Sequence, residues 1–211
     1  MIVNERLTTY LHSLDTDNSV FLENLRTFAE EKEVPIIRRE MESFLSVLLA
    51  LKKPERILEA GTGIAYSALY MAEHSSAVVT TIENYEKRSS LAEKHIREAG
   101  MEDRIILLKA DVNEVLKTLD GPFDLIFLDA AKAQYIEILP EVLRLLPSGG
   151  VLLADNVLQE GLLIESRFST ERRQRTIHER MRRFLWEIKH NESLLTTILT
   201  VGDGVSLSIR K

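Results

Sequence analysis

Between residues 57 and 154, short apolar runs alternate with helix-like stretches, and this alternation leaves few folds open to the chain. The runs are Ile57-Leu58, Val78-Val79-Thr80-Thr81-Ile82, Ile105-Ile106-Leu107-Leu108, Leu125-Ile126-Phe127-Leu128 and Val151-Leu152-Leu153-Ala154. The intervening stretches at 65–73, 86–99, 112–119 and 134–146 carry helical periodicity. Several runs are continuously apolar, as parallel strands covered by helices on both faces require. Strand–helix alternation of this kind predicts a doubly wound, mostly parallel α/β sheet.

The flanks add to that frame. Residues 1–51 read as a helical segment packing on the core: Val20, Phe21, Leu22, Leu25, Phe28 and Ala29 keep helical spacing, as do Met41, Phe44, Leu45, Leu48 and Leu49. Val34-Pro35 separates the two helices, because proline disfavours a helical residue before it. A long polar helix over about 170–190 leads to two β-rich runs around Gly202-Asp203-Gly204, the pattern of an antiparallel hairpin. With the hairpin the sheet counts seven strands, and the chain of 211 residues reads as one Rossmann-like domain.

Composition removes several classes of function. The chain has no cysteine, which excludes thiolate metal sites, disulfides and cysteine nucleophiles. The longest apolar run, 44–51, is too short for a membrane span, and the first residues show no secretory pattern, so a cytoplasmic protein without membrane contact is expected. The five histidines (His12, His74, His95, His178, His190) fall on predicted helices without metal spacing and read as surface residues. Trp186, on the long helix, reads as core. Net charge is −6, yet Arg167, Arg172, Arg173, Arg175, Arg180, Arg182 and Arg183 with Glu171 and Glu179 give residues 167–183 a local charge of +5.

The strand ends carry the chemistry. In open α/β sheets the ligand sits beyond the carboxyl ends of the strands. There the first strand runs into Glu59-Ala60-Gly61-Thr62-Gly63, whose glycines permit a sharp turn and close approach to a ligand. Glu83, ending the second strand, suits both hydroxyls of a ribose. A dinucleotide is the competing ligand, but the full Gly-x-Gly-x-x-Gly needs glycine where Tyr66 stands, and Glu59 suits a cationic amino group better than a pyrophosphate. Asp111, ending the third strand, reads equally as a contact to the adenine edge and as the N-cap of the helix at Val112. Asp129 ends the fourth strand, and Asp155 and Asn156 end the fifth. Together they offer three hard oxygen donors, which suits magnesium or another hard divalent cation. Lys132, three residues after Asp129, shares its face if a helical turn starts there, and a cation beside it favours loss of its proton.

These residues, Glu59-x-Gly61-x-Gly63, Glu83, Asp129-Ala130-Ala131-Lys132 and Asp155-Asn156, resemble the metal-dependent catechol O-methyltransferase-like family of class I methyltransferases over nearly the whole chain. The resemblance implies an O-methyltransferase using S-adenosylmethionine and Mg2+, with Asp129, Asp155 and Asn156 as metal ligands and Lys132, beside Asp129, as catalytic base. It further implies cofactor contacts from Ser67, Glu83, Asp111, Val112 and the backbone near Ile37, besides Glu59, Gly61 and Asp129, and a homodimer. Val34-Pro35-Ile36, Asp129-Ala130-Ala131-Lys132-x-Gln134-Tyr135, Asp155-Asn156-Val157-Leu158-x-x-Gly161 and Val201-Gly202-Asp203-Gly204 resemble most the short bacterial branch that methylates 5-hydroxyuridine at the tRNA wobble position. The arginine-rich segment would then meet tRNA phosphates. A small catechol or vicinal diol is the alternative substrate, and a catalytically silent nucleotide-binding module the outside alternative.

Overall fold

The computed structural model describes residues 5–166 and 174–211. Its strands are β1 (Arg56–Ala60), β2 (Val78–Ile82), β3 (Ile105–Leu108), β4 (Leu125–Leu128), β5 (Val151–Ala154), β6 (Leu194–Leu199) and β7 (Val205–Arg210). They form one sheet in the order β3-β2-β1-β4-β5-β7-β6. The first five pair in parallel, and β7 enters antiparallel to both β5 and β6. The order reverses between β1 and β4, the switch point at which an open α/β sheet leaves a crevice.

The described helices are α1 (Glu5–His12), α2 (Val20–Glu31), α3 (Arg39–Lys52), α4 (Tyr66–Glu73), α5 (Glu86–Glu98), α6 (Val112–Thr118), α7 (Tyr135–Leu145) and α8 (Arg175–His190). Alternate strand residues supply the two core layers. Ile57, Val79, Ile105, Leu125, Phe127, Val151 and Leu153 pack with α2 to α5, whereas Leu58, Ile82, Ile126, Leu128, Leu152 and Ala154 pack with α6, α7 and α8. Burial on both faces explains why β4 and β5 are apolar at every position.

Local signals explain the helix ends. Ser19 caps α2 by accepting from the Leu22 N–H at 3.3 Å. Asp111 caps α6 by accepting from the Asn113 N–H at 2.9 Å. Lys53, in the left-handed region at φ 49°, closes α3. The Gly202–Gly204 turn folds back onto the loop after β5: the Val157 N–H donates to Gly204 O at 2.9 Å and the Leu158 N–H to Asp203 O at 3.1 Å. A Cβ on Gly204 would lie 2.3 Å from Leu158 Cγ, so this contact admits no side chain.

Three expectations are corrected. His95 is buried, with Nδ1 2.9 Å from Ile64 O and its ring edge-on to Phe28, so it is a core residue. His178 is also buried, on the inner face of α8. Trp186 is 59% exposed and stacks on His190 at 4.3 Å, because α8 turns Met181, Phe184 and Ile188 inward. The expected start of the long helix at 170, with Arg167, Arg172 and Arg173, lies outside the described residues. No described helix is long and apolar enough to cross a membrane.

Candidate active site

A cavity of about 910 Å³ opens at the carboxyl ends of β1, β2, β4 and β5. Its wall brings together Ile37, Gly61, Ser67, Glu83, Val112, Asp129, Lys132, Asp155 and Asn156 from the sequence reading. Glu59 and Asp111 are not part of that wall.

The β1 and β2 side is built largely from backbone. Gly61 stands at φ +101°, and a Cβ there would lie 2.2 Å from the carbonyl oxygen of Asp129. Glycine is therefore required twice over, by conformation and by the close passage of the loop over the end of β4. Glu83 is nearly buried; its Oε2 accepts from the Gly63 N–H at 3.0 Å and its Oε1 from the Tyr85 N–H at 2.9 Å. Each oxygen keeps a lone pair for a ligand hydroxyl. Glu59 lies beneath the loop, fully buried, accepting from Ser67 and, at 2.5 Å, from Thr81; Thr62 and Thr81 hydroxyls are 2.6 Å apart. Burial pushes its carboxyl up to about 7 even though both hydroxyls favour the anion. Its carboxylate thus orients Ser67 and leaves the cavity wall to others. Asp111 spends its oxygens on the cap, on the Asn113 amide at 3.0 Å and on Asn84 at 3.3 Å.

The β4 and β5 side carries concentrated charge. Asp129 follows β4, and a 3-10 turn over Lys132–Gln134 brings the Lys132 Nζ to 2.9 Å from Asp129 Oδ1. Nζ also donates to the Tyr135 hydroxyl at 3.3 Å, which donates to Leu128 O at 2.8 Å. Burial pulls the Lys132 pKa down, but Tyr135, Asp129 and Asp155 outweigh it and hold the ammonium protonated. Asp155 is 4% exposed, and burial together with the Asp129 charge pushes its carboxyl up. Asn156 turns the chain at φ 53°, a left-handed conformation that asparagine tolerates, and its N–H donates to Asp155 Oδ1 at 2.7 Å. Among the described residues no group of three or more Asp, Glu or His side chains converges as a ready metal cage; the sequence trio counts two carboxylates and an amide oxygen.

Sequence reasoning missed part of the wall. Arg38, Gln134, Gln159, Gln174, His178 and Asp203 all face the cavity. Asp203 was legible as an acid between two glycines, and was read as a turn and as part of a shared motif but not as a wall residue. His178 Nε2 lies 3.2 Å from Glu165 O.

A doubly wound sheet in this order, closed by an antiparallel hairpin and holding its cavity at the switch point, defines a class I methyltransferase. The sequence model of the O-methyltransferase family matches residues 12–211, and the chain belongs to that family of enzymes. A catechol O-methyltransferase of Niastella koreensis is 34% identical over 80% of this chain and 79% of its own. A caffeoyl-CoA O-methyltransferase of Populus kitakamiensis is 31% identical over 79% of this chain and 74% of its own. Among solved structures, the SAH-bound methyltransferase PaMTH1 of Podospora anserina aligns with a TM-score of 0.89 at 26% identity, covering 100% of this chain and 98% of its own. An O-methyltransferase of Bacillus cereus in complex with SAH aligns at 0.85 with 26% identity, covering 98% and 97%.

Proposed function

We propose that the cavity binds S-adenosylmethionine against the glycine loop and Glu83, takes a divalent cation at Asp129, Asp155 and Asn156, and methylates the 5-hydroxyl of a wobble uridine in tRNA. The observation that carries the reading is the meeting of Asp129, Asp155, Asn156 and Lys132 with Gly61 and Glu83 on one cavity wall. The donor set fits a hard cation: Asp155 is a buried carboxylate beside a second carboxylate, with Asp203 also on the wall and Lys132 the near ammonium. Mg2+ is the ion these oxygen donors suit best.

The residues divide the work. When bound, the cation supplies a lowered pKa for a substrate hydroxyl, and the sulfonium supplies an already activated methyl. Glu83, fixed by the Gly63 and Tyr85 N–H groups, would hold the ribose end of the donor. Lys132, its ammonium held by Asp129 and Tyr135, would serve as base once its own proton had passed to solvent, and its neutral Nζ would then take the substrate hydroxyl proton. This chain's part in the transfer would be placement, holding the substrate oxygen in line with the donor's methyl, and positioning of that kind supplies much of the remaining acceleration.

Support for a nucleobase comes from the polar lining, where Gln134, Gln159, Gln174 and His178 offer hydrogen bonds suited to an imide edge. Arg182 and Arg183 are exposed on α8, while Arg180 pairs with Glu137 at 2.7 Å. A catechol is the second reading, favoured by the Niastella koreensis relative. We also propose a homodimer, supported by exposed Leu7, Tyr10, Leu11 and Leu14 at the N-terminal end. The deciding experiment is mass spectrometry of tRNA nucleosides from cells with and without the protein. Loss of 5-methoxyuridine with gain of 5-hydroxyuridine is expected; an unchanged profile, with turnover of a catechol by the purified enzyme, selects the second reading.

A further inference from the structure

Behind the cavity lies a buried polar pair that does not itself line it. Glu42 of α3 is 4% exposed, on a helix face otherwise occupied by Met41, Leu45 and Leu49. It pairs with Arg26 of α2, whose side chain is 11% exposed. Neither residue lines the cavity, but each reaches one that does. Arg26 Nη2 donates to the Ile37 carbonyl at 2.9 Å as well as to Glu42. The Tyr66 hydroxyl donates to Glu42 Oε1 at 2.7 Å, and the Arg26 guanidinium lies over the Tyr66 ring at 4.9 Å. Asn18 Nδ2 donates to the other carboxylate oxygen at 3.0 Å, and the Tyr70 hydroxyl to the Glu42 carbonyl at 3.0 Å.

We propose that the Arg26–Glu42 pair is a positioning device that fixes the 35–38 wall, through Ile37, against the start of α4, through Tyr66, and thereby sets cofactor affinity. This rests on the reading that the cavity holds S-adenosylmethionine. Stability alone is a poor reason for the pair. Taking two charges out of water is costly, and an apolar pair of similar volume is commonly as stable. The geometry also leaves Arg26 Nε buried with no hydrogen-bond partner among the described residues, a cost that a purely structural pair would avoid. What the pair supplies is direction: one guanidinium nitrogen and one carboxylate oxygen tie together two walls that share no element. The neighbouring Arg39–Glu23 pair (2.6 and 2.8 Å) is more exposed and bonds to neither wall; Arg39 Nη1 also lies 3.7 Å from Glu42 Oε2, and Glu23→Gln leaves that contact and the Arg26, Glu42 and Tyr66 bonds in place, which makes it the internal control.

The test measures S-adenosylmethionine binding by titration calorimetry, and thermal midpoints, for the wild type, Arg26→Met/Glu42→Leu, Tyr66→Phe and Glu23→Gln. The double variant is expected to keep its midpoint within about 4 °C and to weaken Kd about tenfold, with Tyr66→Phe weakening it about threefold. Glu23→Gln is expected to keep the wild-type Kd. A folded double variant with wild-type Kd overturns the proposal, as does a Glu23→Gln loss equal to that of the double variant. Should the double variant not fold, Tyr66→Phe at wild-type affinity overturns it. A wild type that binds no S-adenosylmethionine sinks the cofactor reading instead, before the variants are compared.

Discussion

The two sides of the cavity are built on different principles. On the β1 and β2 side, Glu83 is held by two backbone N–H groups and Glu59 by two hydroxyls, so each carboxylate has its partners from the fold itself. On the β4 and β5 side, Asp129 and Asp155 repel each other, and Lys132 is the cation that stands against them. The first side is a preformed cradle. The second stores unfavourable electrostatics that a further cation would relieve, which is how a site can hold affinity in reserve.

The comparison predicts that damage to the charged side removes turnover while damage to the cradle weakens binding. Asp155→Ala should produce the largest effect, a loss of metal-dependent turnover of about a thousandfold or more, with S-adenosylmethionine affinity nearly intact. Turnover that survives both this change and chelator treatment breaks the distinction. Lys132→Met should lower kcat by roughly 10²- to 10⁴-fold with KM for the cofactor little changed, read from steady-state kinetics.

The next effect is on stability. The Glu59 pKa is raised from 4.5 to about 7 in the folded state, so the native protein binds the extra proton. Stability is present in full below the unfolded pKa and falls as pH rises from 4.5 through 7, by roughly 3 kcal/mol. Glu59→Gln should flatten the midpoint-versus-pH curve in that window; an identical slope in the variant removes Glu59 from the account. Smallest of the four, Glu83→Ala should weaken cofactor binding by about 1–3 kcal/mol with kcat at saturation preserved. Equal affinity by calorimetry would detach Glu83 from the ribose.

Legibility in the sequence followed the same division. β2, β3, β4 and β5 matched their apolar runs residue for residue; β4 and β5 are buried on both faces and leave an unbroken signal, while the edge strand β3 keeps an apolar run although Ile106 is exposed. That Asp129, Asp155 and Asn156 share one cavity wall was readable because strand ends in this fold converge. Glu59 was harder: its position before the glycines was plain, but whether its carboxylate points over or under the loop depends on Thr81, twenty-two residues away. His178 and Trp186 were misplaced because helical periodicity gives the apolar face of α8 but not which rim residues that face carries into the cavity. Glu42 left a faint mark, an acid on the Met41–Leu45–Leu49 stripe, whose partners lie on α2 and α4.

Gly61 has a last consequence. Where the loop after β1 crosses Asp129, only a hydrogen atom separates the two backbones, since a methyl group would stand 2.2 Å from the carbonyl oxygen. The spacing between the loop after β1 and the end of β4 is thus set by backbone alone, whatever binds on either side of it. Such a joint has no play: evolution can exchange what lies on either side of it, but cannot widen it one carbon at a time.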